Sequence, residues 1–409
     1  MSGFQSVTAQ SLEIGGNLGG MLNVDRDFKA VHKSVTSFAM AYRHFTSSSH
    51  DSAGFARAFG YPSFSYGWAW INFNGVRVRS KISHAHYDSR MGSSLVLYAG
   101  FHRPLLHITP HLDLEYNLQH GLSYNTHPWQ RNGNVENELV GTRWTAYVQI
   151  GCNLSYHHGP LYLKLGPEFR HLSNATLGRP NKGANWWDIS LTAGYHLSGK
   201  VADRVEKIEC MTDSVSDSAT LNDIKPCKLR YRPLLVEVTL RGGVKTSLGQ
   251  WQVKRKDIRY GLPLHYRHMS YYCYPQLSTA LLWRYHLKFA SGIGIDAFYE
   301  PYINSIESQN PVPYRSISPW SVGISAQHRI YYRRLTVHMG IGCYISRDFK
   351  RWAHTEEESA VYERIGLAYT LPIFGNHLSM GYNVMAHRTK AYSLEMGLFY
   401  QFPIKRGHK

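Results

Sequence analysis

The sequence predicts an all-β protein, an antiparallel transmembrane β-barrel of roughly 14 to 16 strands, and three observations carry that prediction. The chain holds 35 Gly, 29 Tyr, 16 Phe and 10 Trp with only 18% charged residues, a composition suited to many strands edged by aromatic belts. Residues 144–156 alternate strictly. Trp144, Ala146, Val148, Ile150, Cys152, Leu154 and Tyr156 share one parity, and Thr145, Tyr147, Gln149, Gly151, Asn153 and Ser155 share the other. In a strand, opposite parities face opposite sides. Finally, no run of about 20 apolar residues occurs, which excludes a membrane helix but not a barrel, whose strands need only one apolar face.

The N-terminus lacks a charged segment followed by an apolar one, yet Val7-Thr8-Ala9 has the small residues that end a leader. Residues 1–9 therefore read as a leader remnant, against an ordinary disordered terminus. Residues 10–197 form one unit of eight expected strands: roughly 11–22, 33–47, 63–75, 91–101, 108–118, 141–157, 160–174 and 185–197. Connections at 102–107 and 158–160 are short, and those at 76–90, 119–140 and 175–184 are long. Outer-membrane barrels have short periplasmic turns and long external loops, so the strand ending near residue 174 points its top at the outer leaflet.

Residues 198–231 are polar and charged, with little alternation, and read as a periplasmic linker. An oxidising compartment would allow Cys210 and Cys227 to pair, although spacing alone does not prove it. Residues 232–409 repeat the strand pattern and resemble a diverged copy of the first half. Glu13-Ile14 before Gly19-Gly20 matches Glu237-Val238 before Gly242-Gly243, Tyr42-Arg43-His44 matches Tyr266-Arg267-His268, and Tyr61-Pro62 matches Tyr274-Pro275. One wide barrel and two fused eight-stranded barrels both fit. The last expected strand closes on Phe402, and an aromatic end suits an outer-membrane barrel.

The chemistry concentrates in the hairpin Phe169 to Leu191. His171 and Ser173 share a parity with Leu161, Leu163, Leu165 and Phe169, so a base and a hydroxyl stand on the apolar face. Asn185 falls on the same face as Trp187, Ile189 and Leu191, whereas Asp188 falls on the other. A His-x-Ser pair alone is more often packing than catalysis. The greasy face shifts the reading toward a site with a greasy substrate.

The run His171-Leu172-Ser173-Asn174-Ala175 followed by Arg179-Pro180-Asn181-Lys182-Gly183 resembles the active-site hairpin of the outer-membrane lipid A 3-O-deacylases (PagL type), and in particular their larger acyloxyacyl hydrolase relatives. Gly60-Tyr61-Pro62, Leu114-Glu115-Tyr116-Asn117, Gly121-Leu122-Ser123 and Gly294-Ile295-Asp296 extend the similarity over most of the chain. The resemblance implies a cofactor-free carboxylic ester hydrolase that removes an acyl chain, at the 3-O position in the smaller relatives, from lipid A of lipopolysaccharide. In this reading Ser173 is the nucleophile, His171 its base, and Asn185 stands where those relatives have Glu. Asn174 and the Thr176 N–H become the oxyanion donors, with Thr176 replacing the family's Gly. The implied location is the outer membrane of a Gram-negative bacterium, among its lipids. Homodimerisation and a phospholipid substrate stay open.

In the second half His387-Arg388-Thr389 imitates the motif, but its parity is polar, so one active site is expected. The net charge of +17 suggests acidic partners. No motif points to nucleic acid, and lipid A phosphates would satisfy a basic rim. His84, His86 and Asp88 lack a further ligand, so no metal is assigned. The competing readings are a non-enzymatic barrel, either pore or structural, and a soluble β-sandwich.

Overall fold

The computed structural model describes residues 10–22, 28–46, 54–80, 89–197, 234–301, 318–348, 359–388 and 390–404. The leader-like residues 1–9, the linker with Cys210 and Cys227, and His84, His86 and Asp88 lie outside the described residues. The chain divides into two compact units, and each contains a closed eight-stranded antiparallel barrel. The choice between one wide barrel and two fused ones is thereby settled in favour of two. No helix among the described residues is long and apolar enough to cross a membrane.

The first barrel consists of β1 (Gln10–Met21), β2 (Phe28–Phe45), β3 (Ser63–Asn72), β6 (Ser93–Thr109), β7 (Leu112–Asn125), β8 (Trp144–His158), β9 (Leu161–Ser173) and β10 (Ala184–His196). Pairing of β1 with β2 closes it, and two short strands, β4 (Val76–Ser80) and β5 (Ser89–Arg90), extend the sheet beyond β2. A one-turn helix, α1 (Phe55–Ala58), lies between β2 and β3.

Three expected connections are corrected. The turn placed at 102–107 falls at 110–111 instead, because β6 continues to Thr109. Register shifts at Pro104/Leu106 and His107/Thr109 break its alternation there and disguise the strand. The segment 76–90 is not a plain loop, since it contains β4 and β5, and β7 carries on to Asn125.

Along β9 the parities separate as expected. Leu161, Leu163 and Leu165 are exposed on the outer wall, and Tyr162, Lys164, Glu168 and Arg170 are buried inside. An outward apolar belt and a polar interior define a membrane barrel. The interior is packed with ion pairs. Arg43 reaches Glu13 at 3.1 Å and Glu115 at 2.8 Å, Lys164 reaches Glu13 at 2.7 Å, and Arg170 reaches Glu168 at 2.6 Å. Above this charged layer sits an apolar cluster that includes Ile71, Phe73, Tyr147, Leu172 and Trp186.

The second barrel runs β11 (Leu234–Thr246), β12 (Tyr271–Trp283), β13 (Phe289–Tyr299), β14 (Trp320–Tyr332), β15 (Leu335–Arg347), β16 (Val361–Thr370), β17 (Leu378–His387) and β18 (Lys390–Pro403), closed by β11 against β18. Its interior is likewise charged, with Arg329 on Glu237 at 2.6 Å and Arg364 on Asp296 at 2.9 Å. A helix, α2 (Leu248–Tyr260), lies between β11 and β12. Glu13 and Glu237 occupy comparable places, each buried on the first strand of its barrel. The other short matches do not correspond in position. Arg43 is buried in β2 whereas Arg267 is exposed in the segment after α2, and Tyr61-Pro62 precedes β3 whereas Tyr274-Pro275 lies within β12.

Candidate active site

β9 ends at Ser173 and β10 starts at Ala184, with His171 and Asn185 directly opposite each other in the register. Both side chains point to the outer face, as do Ser173, Phe169 and Trp187. Their inward neighbours hold them there. Leu172 and Trp186 are fully buried, and Trp186 meets Phe73 edge-on at 5.1 Å and donates from its indole N–H to Asp188 at 3.1 Å. Alternation then fixes the outward direction of the residues between them.

His171 Nδ1 lies 2.8 Å from Asn185 Oδ1. An amide oxygen accepts, so Nδ1 carries the proton and Nε2 keeps the lone pair that a base needs. Ser173 Oγ pairs with the Asn181 side chain: Asn181 Nδ2 donates to it at 3.0 Å, and Oγ lies 3.3 Å from Asn181 Oδ1. The same Oδ1 accepts from the Asn174 backbone N–H at 3.0 Å. Asn181 thus ties the nucleophile candidate to the chain leaving β9. Asn174 Nδ2 donates to Thr142 Oγ1 at 3.1 Å, joining this loop to the one before β8.

The two loops are laced together by backbone as well. Lys182 N donates to Glu138 O at 3.1 Å and Gly183 N to Leu139 O at 3.0 Å. At Gly183 the backbone has φ 76, and a Cβ there would stand 2.7 Å from His171 Cε1. Only glycine gives the imidazole this room.

Thr176 is placed differently. Residues 175–179 sort with the second compact unit. There Thr246 donates to Thr176 O from its N–H at 3.0 Å and its hydroxyl at 2.7 Å, and Thr176 Oγ1 donates to Tyr392 O at 2.8 Å. Thr176 holds φ 67, a left-handed conformation that glycine adopts freely and that threonine strains to keep.

The structure therefore brings His171 together with Asn185, and Ser173 and Asn174 together around Asn181. Thr176 bonds to Thr246 and Tyr392 within the second unit. Asp188 points inward to Arg170 at 3.2 Å and to Asn17 at 3.2 Å, so it does not take the place of Asn185. Asn181, Thr142 and Gly183 are the additions. Asn181 and Gly183 stand in the Arg179 to Gly183 run, but their contacts cross an irregular loop that no periodicity reveals. His387 is fully buried, 3.2 Å from the Tyr344 hydroxyl. A register shift in the β17–β18 pairing spares the alternation of β17, so this histidine stays off the outer face.

Residues 50–194 match the family described as lipid A 3-O-deacylase (PagL), and residues 235–406 match the acyloxyacyl hydrolase C-terminal domain. No curated protein matches the chain by sequence. Among solved structures, the outer membrane enzyme PagL is similar at 11% identity and a TM-score of 0.28, over 44% of this chain and 97% of that one. The attachment invasion locus protein Ail of Yersinia pestis is similar at 14% identity and a TM-score of 0.25, over 47% of this chain and 100% of that one. A designed transmembrane β-barrel is similar at 13% identity and a TM-score of 0.22, over 46% and 95%. The two family matches follow one another along most of a chain that folds as two membrane barrels, and the protein belongs to the PagL family of outer-membrane lipid A deacylases, in its larger form with the acyloxyacyl hydrolase C-terminal domain.

Proposed function

We propose that this outer-membrane protein hydrolyses an ester-linked acyl chain of lipid A, at the 3-O position, with Ser173 as nucleophile and His171 as base. The observation that carries the reading is the His171–Asn185 hydrogen bond on the outward apolar face of β9 and β10, with Ser173 two residues further along the same face of β9. A base held in the correct tautomer on the same face as a hydroxyl provides the two groups that acyl transfer needs. Phe169 and Trp187, whose rings lie 5.4 Å apart, supply an apolar wall beside it for the acyl chain.

The reaction runs in two halves. Ser173 Oγ attacks the ester carbonyl while His171 Nε2 takes its proton, and the carbonyl oxygen becomes an oxyanion. The Asn174 amide and the Thr176 N–H are the donors proposed for that charge. Collapse breaks the bond to the sugar oxygen, which leaves with the proton from His171, and the acyl group stays on Ser173. Water, activated by His171, then releases the fatty acid and restores the serine. Asn185 orients the imidazole but adds no negative charge to stabilise the imidazolium, so a modest rate is expected.

Neither lumen supports a pore reading, since buried ion pairs fill both barrels among the described residues. The test is mass spectrometry of lipid A from cells that export the protein, beside Ser173→Ala. Loss of one hydroxyacyl mass with the wild type alone is expected. Unchanged lipid A, with the protein confirmed in the outer membrane, would sink the proposal, and a change in phospholipids instead would redirect it.

A further inference from the structure

The segment 247–270 connects β11 to β12 at one rim of the second barrel and carries α2. Strand alternation assigns the rim. The connections 284–288, 333–334 and 371–377 share one end, while 247–270, 300–319, 348–360 and the short 388–389 share the other. Long connections mark the external side of an outer-membrane barrel, so α2 lies on the external side, the side of the outer leaflet.

The helix is capped at both ends and bonded to the chain that follows it. Ser247 caps it by accepting from Gln250 N at 3.2 Å, and Gly261 ends it at φ 64. Trp251 is buried, Gln250 Nε2 donates to Ser270 and Tyr272, and Asp257 accepts from the His265 N–H at 3.0 Å. With that side fixed, the opposite face is left to solvent: Val253, Lys256, Arg259 and Tyr260 are all exposed, and so are Leu262 and Arg267 beyond the helix. At 3.6 residues per turn the four helical positions fall on one face. Cations interleaved with apolar and aromatic side chains on a fixed helix suit a membrane interface, where headgroup phosphates meet acyl chains. The only acidic side chain in the segment, Asp257, is buried against His265.

We infer that this face of the second barrel docks the phosphate groups of lipid A, with Lys256 and Arg259 as the contacting cations. The inference takes its ligand from the lipid A reading but not its chemistry, so the two can fail separately. The experiment uses the full chain in neutral detergent, carrying Ser173→Ala so that nothing is cleaved. The probes are bisphosphorylated lipid A and the same lipid stripped of phosphate. The expected preference for the phosphorylated form is on the order of 10- to 100-fold. It should collapse when Lys256 and Arg259 are both changed to Gln, in protein whose heat-modifiable migration shows that it is folded. It should also shrink as salt is raised, a readout that needs no variant. Equal affinity for the two lipids, a preference that survives the double change, or one insensitive to salt would overturn the inference. Competition by inorganic phosphate equimolar with the lipid would overturn the commitment to a lipid phosphate.

Discussion

His171 Nδ1 and Asn185 Oδ1 lie 2.8 Å apart across a directly paired position of β9 and β10. The neutral amide fixes the tautomer of the ring and contributes no charge. Asn185→Asp places a carboxylate at the same distance with almost no change in volume. We predict that it raises kcat by about tenfold or more, and that Asn185→Leu lowers it by about 10- to 100-fold through loss of orientation. Rates of fatty-acid release from lipid A check both. Equal rates for all three proteins would remove Asn185 from the mechanism.

Asn181 touches Ser173 Oγ and the Asn174 N–H at once. Asn181→Ala should therefore lower kcat by about 10- to 100-fold by freeing the serine rotamer. Stability should fall by only about 1 kcal/mol, the ordinary worth of such hydrogen bonds. Parallel measurement of turnover and of the urea midpoint separates the two effects. A large stability loss with unchanged turnover would make Asn181 a loop anchor and nothing more.

Much of this was legible in the sequence because a membrane barrel writes its two faces in opposite chemistry. Leu161 to Ser173 alternate so cleanly that the outward direction of His171 follows from parity alone, and the same parity sends Asp188 inward. The turn at 110–111 was hidden because Pro104 and the register shifts after it interrupt the period of β6. Partners met across irregular backbone were hidden too. Asn181 reaches Ser173 over a loop without a repeat, and nothing near Thr176 announces its bonds to Thr246 and Tyr392. The buried arginines carry no mark in a charge count that separates them from exposed ones.

Gly183 provides a steric test of the site. A methyl group there meets the edge of His171 at 2.7 Å and must also accept φ 76. Gly183→Ala is predicted to cost about 1–2 kcal/mol in backbone strain and to displace the imidazole, cutting turnover at least tenfold. Gly133→Ala is the control. It shares a positive φ, 89, with nothing within 4 Å of its Cβ, so it should pay the strain and keep its activity. Full turnover in Gly183→Ala would mean that the ring is free to shift without loss.

The interior ion pairs bear on stability rather than chemistry. Arg329 meets Glu237 through two nitrogens, at 2.6 and 3.3 Å, and both side chains are about 1% exposed. Arg329→Met leaves the Glu237 carboxylate inside the barrel with Gln401, 2.6 Å away, as a neutral donor. An uncompensated buried charge typically costs about 3–5 kcal/mol. The urea midpoint for loss of the heat-modifiable form should fall accordingly. Pairing Arg329→Met with Glu237→Gln removes the stranded charge, so the double variant should regain most of the loss. If the double variant is as unstable as the single one, packing of the arginine stem, not charge, holds this part of the barrel together.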